Sequence, residues 1–371
     1  MTQLAVVVYT EHRTANGKVL VQATLNSEKS LNALSQPMID SLLPKLMQWQ
    51  DDDNVVAVLL DSMGDRAFCA GGDIVELYHA MVEHAPNAAP YVEEFFTNEY
   101  TLDYLIHTYA KPIIVWGNGF VMGGGLGLMA GASHRVVTET SRVAMPEVSI
   151  GLYPDVGGTY FLNRMPDNLG LFLGLTAAQM NAADCLKVKL ADHFLLHQQK
   201  SDLIAAICEA DFKGEDHQTI SSLIDVLAQK SSSNMAVGNI ESHRDLLNEL
   251  LSKPTLTAIV SAIKALETDD KWLLKAQASL NRGSAISAHI VEKQLSVGTD
   301  LTLAQCFRLE LALSVRCGEL GEFREGIRAL LIDKDYQPTW RFDDVRDVDN
   351  AIIEQLFSPV WDEKTHPLKA L

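Results

Sequence analysis

Apolar positions along the chain fall into two regimes. In the first half, short apolar runs alternate with longer stretches whose apolar residues recur at helical spacing. Leu4 to Tyr9 and Val19 to Leu25 read as strands, and the turn residues Asn16-Gly17 between them predict an antiparallel pair. Ser35 is placed to cap a helix, with Pro37 in its first turn and Met38, Leu42, Leu43 and Leu46 on one face. A strand is predicted at Val55 to Leu60, a helix from near Asp73, a helix-prone polar stretch over 86–110, and strands at Ile113 to Trp116 and Arg135 to Thr138. Strands separated by helices need crossover connections, so this part is predicted to be α/β with a mostly parallel sheet.

From about residue 165 the pattern turns helical. Apolar i, i+3, i+4 spacing predicts helices at Leu169 to Leu175, Thr176 to Ala182, Ser201 to Ala210 and Ile220 to Gln229. It continues at Ser242 to Leu251, Leu256 to Glu267, Asp270 to Leu280, Ala285 to Gln294 and Leu303 to Cys317. The polar run Lys230 to Asn234 is the best linker candidate. At 371 residues the chain exceeds what one core usually supports. The predicted organisation is a catalytic core over 1–190 and a mostly helical lobe over 191–371.

Charge narrows the function classes. A net charge of -18 argues against a nucleic-acid partner, whose backbone requires clustered Lys and Arg, and leaves any polyanionic ligand dependent on a local basic patch. The cysteines Cys69, Cys185, Cys208, Cys306 and Cys317 are scattered with no C-x-x-C spacing, as expected of reduced intracellular thiols. Cys69 lies in a glycine turn but has no nearby histidine in sequence to activate it, so a packing role is favoured over a nucleophilic one. No uninterrupted apolar run approaches the roughly 18 residues needed to span a bilayer, so no membrane partner is expected. The N-terminal residues resemble neither a secretory signal nor a transit peptide, and a cytoplasmic location is expected. His193 and His197 have i, i+4 spacing on an expected helix, but without an H-E-x-x-H frame they read as ordinary histidines rather than metal ligands.

The stretch of greatest chemical interest runs from Val115 to Tyr160. It carries a triple glycine, Gly123 to Gly125, and then two carboxylates, Glu147 and Asp155, the latter in a loop punctuated by Gly151, Pro154, Gly157 and Gly158. Upstream, Arg66-Ala67-Phe68-Cys69-Ala70-Gly71-Gly72-Asp73 forms a second glycine turn after its own strand. A bare backbone at the start of a helix can point N–H groups at an oxygen, and two such turns with a carboxylate pair suit acyl-group chemistry. Gly125 to Ala130 also matches a G-x-G-x-x-A dinucleotide fingerprint, but the strand does not lead directly into it and no acid follows at the expected place.

Leu25-Asn26, Leu31-Asn32-Ala33-Leu34, the Ala67 to Asp73 turn and Gly119-x-x-Met122-Gly123-Gly124-Gly125 together resemble the crotonase (enoyl-CoA hydratase/isomerase) superfamily. Ala144-Met145-Pro146-Glu147, the Gly151 to Gly158 loop, and Glu325 to Asp335 with Pro338 and Trp340 are similar to its 3-hydroxyisobutyryl-CoA hydrolase group, so the resemblance extends over nearly the whole chain. It implies a crotonase-like ββα spiral core with a helical C-terminal lobe, and an acyl-CoA substrate whose carbonyl oxygen is held by the N–H groups of Gly72 and Gly124. It implies Glu147 as general base or as nucleophile, two roles the sequence does not separate. Asp155 is implied to orient the substrate hydroxyl or to assist protonation of the leaving thiolate, and Glu99 to contact substrate. The second glutamate of the hydratases is replaced here by Gly127, and Asp155 stands where hydratases usually have glycine.

The implied reaction is thioester hydrolysis, most specifically of 3-hydroxyisobutyryl-CoA as in valine degradation, with no metal or redox cofactor. Coenzyme A would be held by Arg66, Ala67, Ala70, Gly71, Asp73 and Ile74, with Lys29 or Arg66 near its phosphates. A hydratase or isomerase acting on an unsaturated acyl-CoA, or a non-catalytic acyl-CoA binder, are the alternatives. Homo-oligomerisation is left open.

Overall fold

The computed structural model describes residues 5–85 and 87–371. Leu4, the start of the first predicted strand, and Pro86, the start of the predicted helix-prone stretch, lie outside the described residues. The chain forms two compact units, each assembled from three segments rather than divided near residue 190. The first unit takes Met1–Gly72, Leu102–Val143 and Met180–Glu241, and the second takes Asp73–Thr101, Ala144–Gln179 and Ser242–Leu371.

Among the described residues nine strands form: β1 (Val7–Arg13), β2 (Val19–Leu25), β3 (Val55–Ser62), β4 (Ala67–Cys69), β5 (Ile113–Gly117), β6 (Phe120–Met122), β7 (His134–Val137), β8 (Arg142–Ala144) and β9 (His193–Phe194). The main sheet of the first unit has the order β1-β2-β3-β5-β7-β9. It is parallel throughout except for the β1–β2 hairpin, whose register pairs Val7 with Leu25 and Arg13 with Val19. Gly17, at φ +81°, supplies the left-handed residue the hairpin turn demands. The first strand begins later than predicted and runs on through Thr10 to Arg13. Those polar residues lie on an exposed edge strand, where apolar periodicity carries no signal.

Strands β3 and β5 are buried at every position and mostly apolar, as a parallel sheet covered on both faces requires. One face packs Leu20, Val56, Leu59, Ile114, Trp116 and Val136 against Leu203 and Ile207 of helix Lys200–Glu209 and Ile220, Ile224 and Leu227 of helix Asp216–Ser231. The predicted linker at Lys230 to Asn234 is part of this structure: Ser231 is buried and donates to the Gln199 side chain. The small second sheet has the order β4-β6-β8.

Two further expectations are corrected. Thr176 to Ala182 is not one helix, because Ala177 ends helix Leu169–Thr176 in the left-handed region at φ 51° and Met180 pairs with Val143 through both backbone bonds. A new helix, Ala182–Lys187, then starts from a reciprocal capping box between Asn181 and Asp184. His193 and His197 do not share a helix, since His193 lies in β9 and His197 opens a single 3-10 turn.

The second unit is almost wholly helical. Asp270, Ser284 and Thr302 each cap their helices with a side-chain oxygen, fixing the starts of Lys271–Arg282, Ala285–Gly298 and Leu303–Leu320. Helix Ala285–Gly298 lies against Leu169–Thr176, and Leu303–Leu320 lies against the short helix Gly158–Leu162.

In the first unit, an added Cβ on Gly125 would sit 2.2 Å from the Cys69 carbonyl oxygen. Backbone rather than a flexible side chain blocks that space, so Gly125→Ala is expected to lower unfolding free energy by roughly 1–3 kcal/mol, the usual cost of overpacking. A urea denaturation series comparing the two proteins measures this loss.

Candidate active site

Strands β4 and β6 are parallel neighbours, with Ala67 opposite Phe120 and Cys69 opposite Val121. Each is followed at once by a glycine turn, so the pairing carries Gly71-Gly72 and Gly123-Gly124 forward side by side within the first unit. The bare Cα of Gly125 against Cys69 permits that approach, and Gly71, at φ +118°, turns beside the Met122 carbonyl. Gly123 (φ 47°) precedes helix Gly124–Ala130, so the Gly124 N–H is among the first-turn donors with no carbonyl one turn back. Both glycines of the G-x-G-x-x-A match lie inside this buried helix, where they serve packing rather than a dinucleotide turn.

The loop from Ser27 to Leu34 is fastened to the first turn. Asn32, itself at φ 54°, donates from Nδ2 to the Met63 and Ala67 carbonyls and accepts from the Ser27 N–H through Oδ1. Ala70 N–H donates to Leu31 O at 3.1 Å, and Leu34 N–H donates to Gly71 O at 2.8 Å. These bonds hold exposed Lys29 on the loop bordering the turn that also bears exposed Arg66. They also restrict the expected coenzyme-A contacts, because Ala70 has committed its N–H and has only its carbonyl to offer. Ala67 is similarly occupied, its carbonyl accepting from Asn32 and from Ser62 Oγ. Asp73 is the residue before helix Ile74–Glu83 and Ile74 its first. Cys69 is buried, with Sγ 3.5 Å from Gly71 O, as a packed thiol.

The carboxylates belong to the second unit. Pro146 closes β8 and Glu147 opens a 3-10 turn, Glu147–Ile150, which Gly151 ends at φ +68°. A Cβ on Gly151 would meet the Glu322 carbonyl oxygen at 2.5 Å, so this sharp exit requires glycine. The chain then passes Tyr153 and Asp155 before Val156, whose φ of 50° is unusual for a β-branched residue, and Gly157 at φ +89°. Glu99, from helix Ala89–His107, completes a cluster in which Glu99, Glu147 and Asp155 are each at most 4% exposed.

Burial, and then repulsion from Asp155, push the Glu99 and Glu147 carboxyls well above the usual carboxylate range. Burial pushes Asp155 up to about 7, opposed by the hydrogen bond it accepts from Tyr100 Oη at 2.7 Å. The Oε2 atom of Glu147 is buried without a hydrogen-bond partner. A carboxyl group so placed can serve as a proton acceptor, with its basicity raised by its surroundings.

Three residues around Asp155 have no counterpart among the sequence candidates. Glu310 is fully buried and accepts from the N–H groups of Gly157 and Thr159, both at 2.8 Å, which anchors the loop bearing Asp155. Tyr153 Oη donates to Glu310 O at 2.5 Å, and Ser314 Oγ lies 2.8 Å from Tyr100 Oη and 2.9 Å from Tyr153 Oη. A signal was present, since Glu310 and Ser314 fall at i+3 and i+7 from Phe307 on the buried face of helix Leu303–Leu320. An acid and a hydroxyl on an apolar stripe require buried partners.

Similarity to known proteins agrees with this arrangement. A family model described as enoyl-CoA hydratase/isomerase matches residues 20–357. The mitochondrial 3-hydroxyisobutyryl-CoA hydrolase of Danio rerio is 34% identical over 336 residues, 90% of this chain and 86% of that protein. The probable 3-hydroxyisobutyryl-CoA hydrolase 3 of Arabidopsis thaliana is 34% identical over 346 residues, 92% of this chain and 89% of that one. Among solved structures, an enoyl-CoA hydratase from Rhodobacter sphaeroides has a TM-score of 0.81 at 32% identity, covering 96% of this chain and 98% of its own. A carnitinyl-CoA dehydratase from Mycobacterium thermoresistibile has a TM-score of 0.82 at 31% identity, covering 96% and 97%. With the parallel sheet, the paired glycine turns and the helical C-terminal region all in place, the chain belongs to the enoyl-CoA hydratase/isomerase, or crotonase, family.

Proposed function

We propose that this protein hydrolyses a short-chain 3-hydroxyacyl-CoA thioester, specifically 3-hydroxyisobutyryl-CoA to 3-hydroxyisobutyrate and coenzyme A, a reaction of valine breakdown. The observation that carries this reading is the buried pair of Glu147 and Asp155, together with Gly127 in place of a second glutamate. Addition of water across a double bond by two glutamates lacks one of its partners here, whereas attack on a thioester needs one base and a held oxyanion. The similarity to hydrolases over nine-tenths of the chain supports the same reading.

In this proposal the N–H groups of Gly72 and Gly124 hold the thioester oxygen, where negative charge grows during attack. Each such donor is typically worth about 3 kcal/mol at the transition state. Glu147 removes a proton from the attacking water, and Asp155 serves the other end of the reaction. Glu99 lies in the same buried cluster and contributes to substrate binding. Coenzyme A is held along Arg66, Ala67, Ala70, Gly71, Asp73 and Ile74, with Lys29 and Arg66 supplying local positive charge on an acidic protein.

The deciding measurement is thiol release across a panel of short acyl-CoA esters. Release is expected to be fastest with the branched 3-hydroxyacyl ester, and Glu147→Gln should lower kcat a hundred- to ten-thousand-fold with little change in substrate affinity. Turnover of an unsaturated acyl-CoA without thiol release would favour a hydratase instead. The pH dependence has a definite sign: burial and the charge of Asp155 raise the pKa of the Glu147 base, and a raised base is lost as pH falls, so kcat/KM should fall on acidification well above the usual carboxylate range rather than near 4. A rate profile flat between pH 5 and 8 contradicts this. Near-molar salt should weaken binding of coenzyme A more than that of a truncated pantetheine ester, because only the former carries the nucleotide phosphates. Equal salt sensitivity removes Lys29 and Arg66 from phosphate binding.

A further inference from the structure

The hydroxyl groups beside Asp155 form a chain whose protons can be counted. Its contacts are Asp155 Oδ2 to Tyr100 Oη (2.7 Å), Tyr100 Oη to Ser314 Oγ (2.8 Å), Ser314 Oγ to Tyr153 Oη (2.9 Å) and Tyr153 Oη to Glu310 O (2.5 Å). The far end is a main-chain carbonyl, which can only accept, so the Tyr153 proton is committed to it. The contact between Ser314 and Tyr153 must then use the Ser314 proton, and that between Tyr100 and Ser314 the Tyr100 proton. All three hydroxyl protons are spent before the fourth contact is reached. An ionised Asp155 draws the Tyr100 proton to itself and leaves one of the two Ser314 contacts without a hydrogen. A protonated Asp155 supplies the missing proton, and every contact is filled. Tyr100, Tyr153 and Ser314 are all at most 2% exposed, so an unfilled contact here costs more than it would in water.

We propose that Ser314 is a positioning residue that, by claiming the Tyr100 proton for the chain ending at the Glu310 carbonyl, keeps a proton on Asp155. The use of that proton rests on the thioesterase reading. As the C–S bond breaks, its electron pair passes to sulfur, Asp155 protonates the sulfur to give the free thiol, and the proton Glu147 took from water remains to restore Asp155. The titration behaviour itself does not depend on that reading.

The groups facing Asp155 are Glu99 and Tyr100 from helix Ala89–His107, Glu147 and Tyr153 from the 3-10 turn and loop, and Glu310 and Cys317 from helix Leu303–Leu320. Burial and the negative charges among them raise the proton affinity of Asp155 in any event, so the test must isolate the hydroxyl chain. It is a carbon-13 NMR titration of the free protein labelled at aspartate carboxyl carbons, with the Asp155 resonance assigned by its loss in Asp155→Asn.

Ser314→Ala removes both contested contacts and frees the Tyr100 proton for Asp155. Tyr153→Phe frees the Ser314 proton for Tyr100 and has the same consequence. Both should lower the Asp155 midpoint by roughly half a pH unit or more, about the worth of one hydrogen bond. Tyr100→Phe removes the donor to the ionised carboxylate and should raise the midpoint. Opposed shifts of this kind support the proposal, and either lowering variant suffices if the other does not fold. Shifts in one common direction, as general loosening would produce, or an unchanged midpoint in both Ser314→Ala and Tyr153→Phe, overturn it. Because no substrate is used, the outcome stands whether or not the thiol-release assay succeeds.

Discussion

Burying carboxyl groups carries a large desolvation cost, and much of the local structure of the second unit answers it. Glu99, Glu147, Asp155 and Glu310 lie at most 4% exposed, in surroundings that penalise a negative charge. Glu310 is the best provided for, with two main-chain N–H donors, yet burial still pushes it up to about 8. Asp155 has one tyrosine donor. The series from Glu310 to Glu147 is one of diminishing support, from an acid used as an anchor to one kept basic. The proposed reaction would draw on that gradient, because a carboxylate fully satisfied by its neighbours has little affinity left for a substrate proton.

The glycine framework of the first unit answers a different constraint of the proposed reaction. Donor N–H groups act on a developing charge only when fixed in advance, because a flexible pair must be reorganised at the moment of reaction. Here, fixing comes from parallel strands, from Gly125 lying against the Cys69 backbone, and from the Asn32 side chain clamping the neighbouring loop. None of these contacts involves a charge. Rigidity at this turn is steric and hydrogen-bonded, and it persists whatever the protonation of the carboxylates.

Much of this was legible in the sequence, for reasons that differ by residue. Strands β2, β3 and β5 were found because a sheet covered on both faces leaves an apolar run, and the glycine turns because special backbone conformations leave few residue choices. The polar half of β1 was missed because an exposed edge imposes no apolar period. Thr176 to Ala182 misled because its spacing is helical, while pairing of Met180 with Val143 overrides a local preference. Glu147 and Asp155 could be picked out through their motifs, whereas Glu310 and Ser314 left only the mark of polar residues on an apolar helix face, which does not name their partners. Their role arises from packing between segments more than 150 residues apart in sequence, which periodicity does not encode.

The three-segment make-up of the first unit has a consequence for how the chain is built. Strand β9, only His193–Phe194, closes the sheet beside β7, and the helices that cover one face lie later still, at Lys200–Glu209 and Asp216–Ser231. A ribosome emitting residues in order therefore exposes β7 with an unpaired edge, and Trp116 and Val136 with an uncovered apolar face, until more than half the chain has been made. Such surfaces on a nascent chain attract other strands and chaperones. For this fold, the vulnerable period is the interval between synthesis of β7 and release of residue 231, and its length is set by translation speed rather than by the stability of the finished molecule.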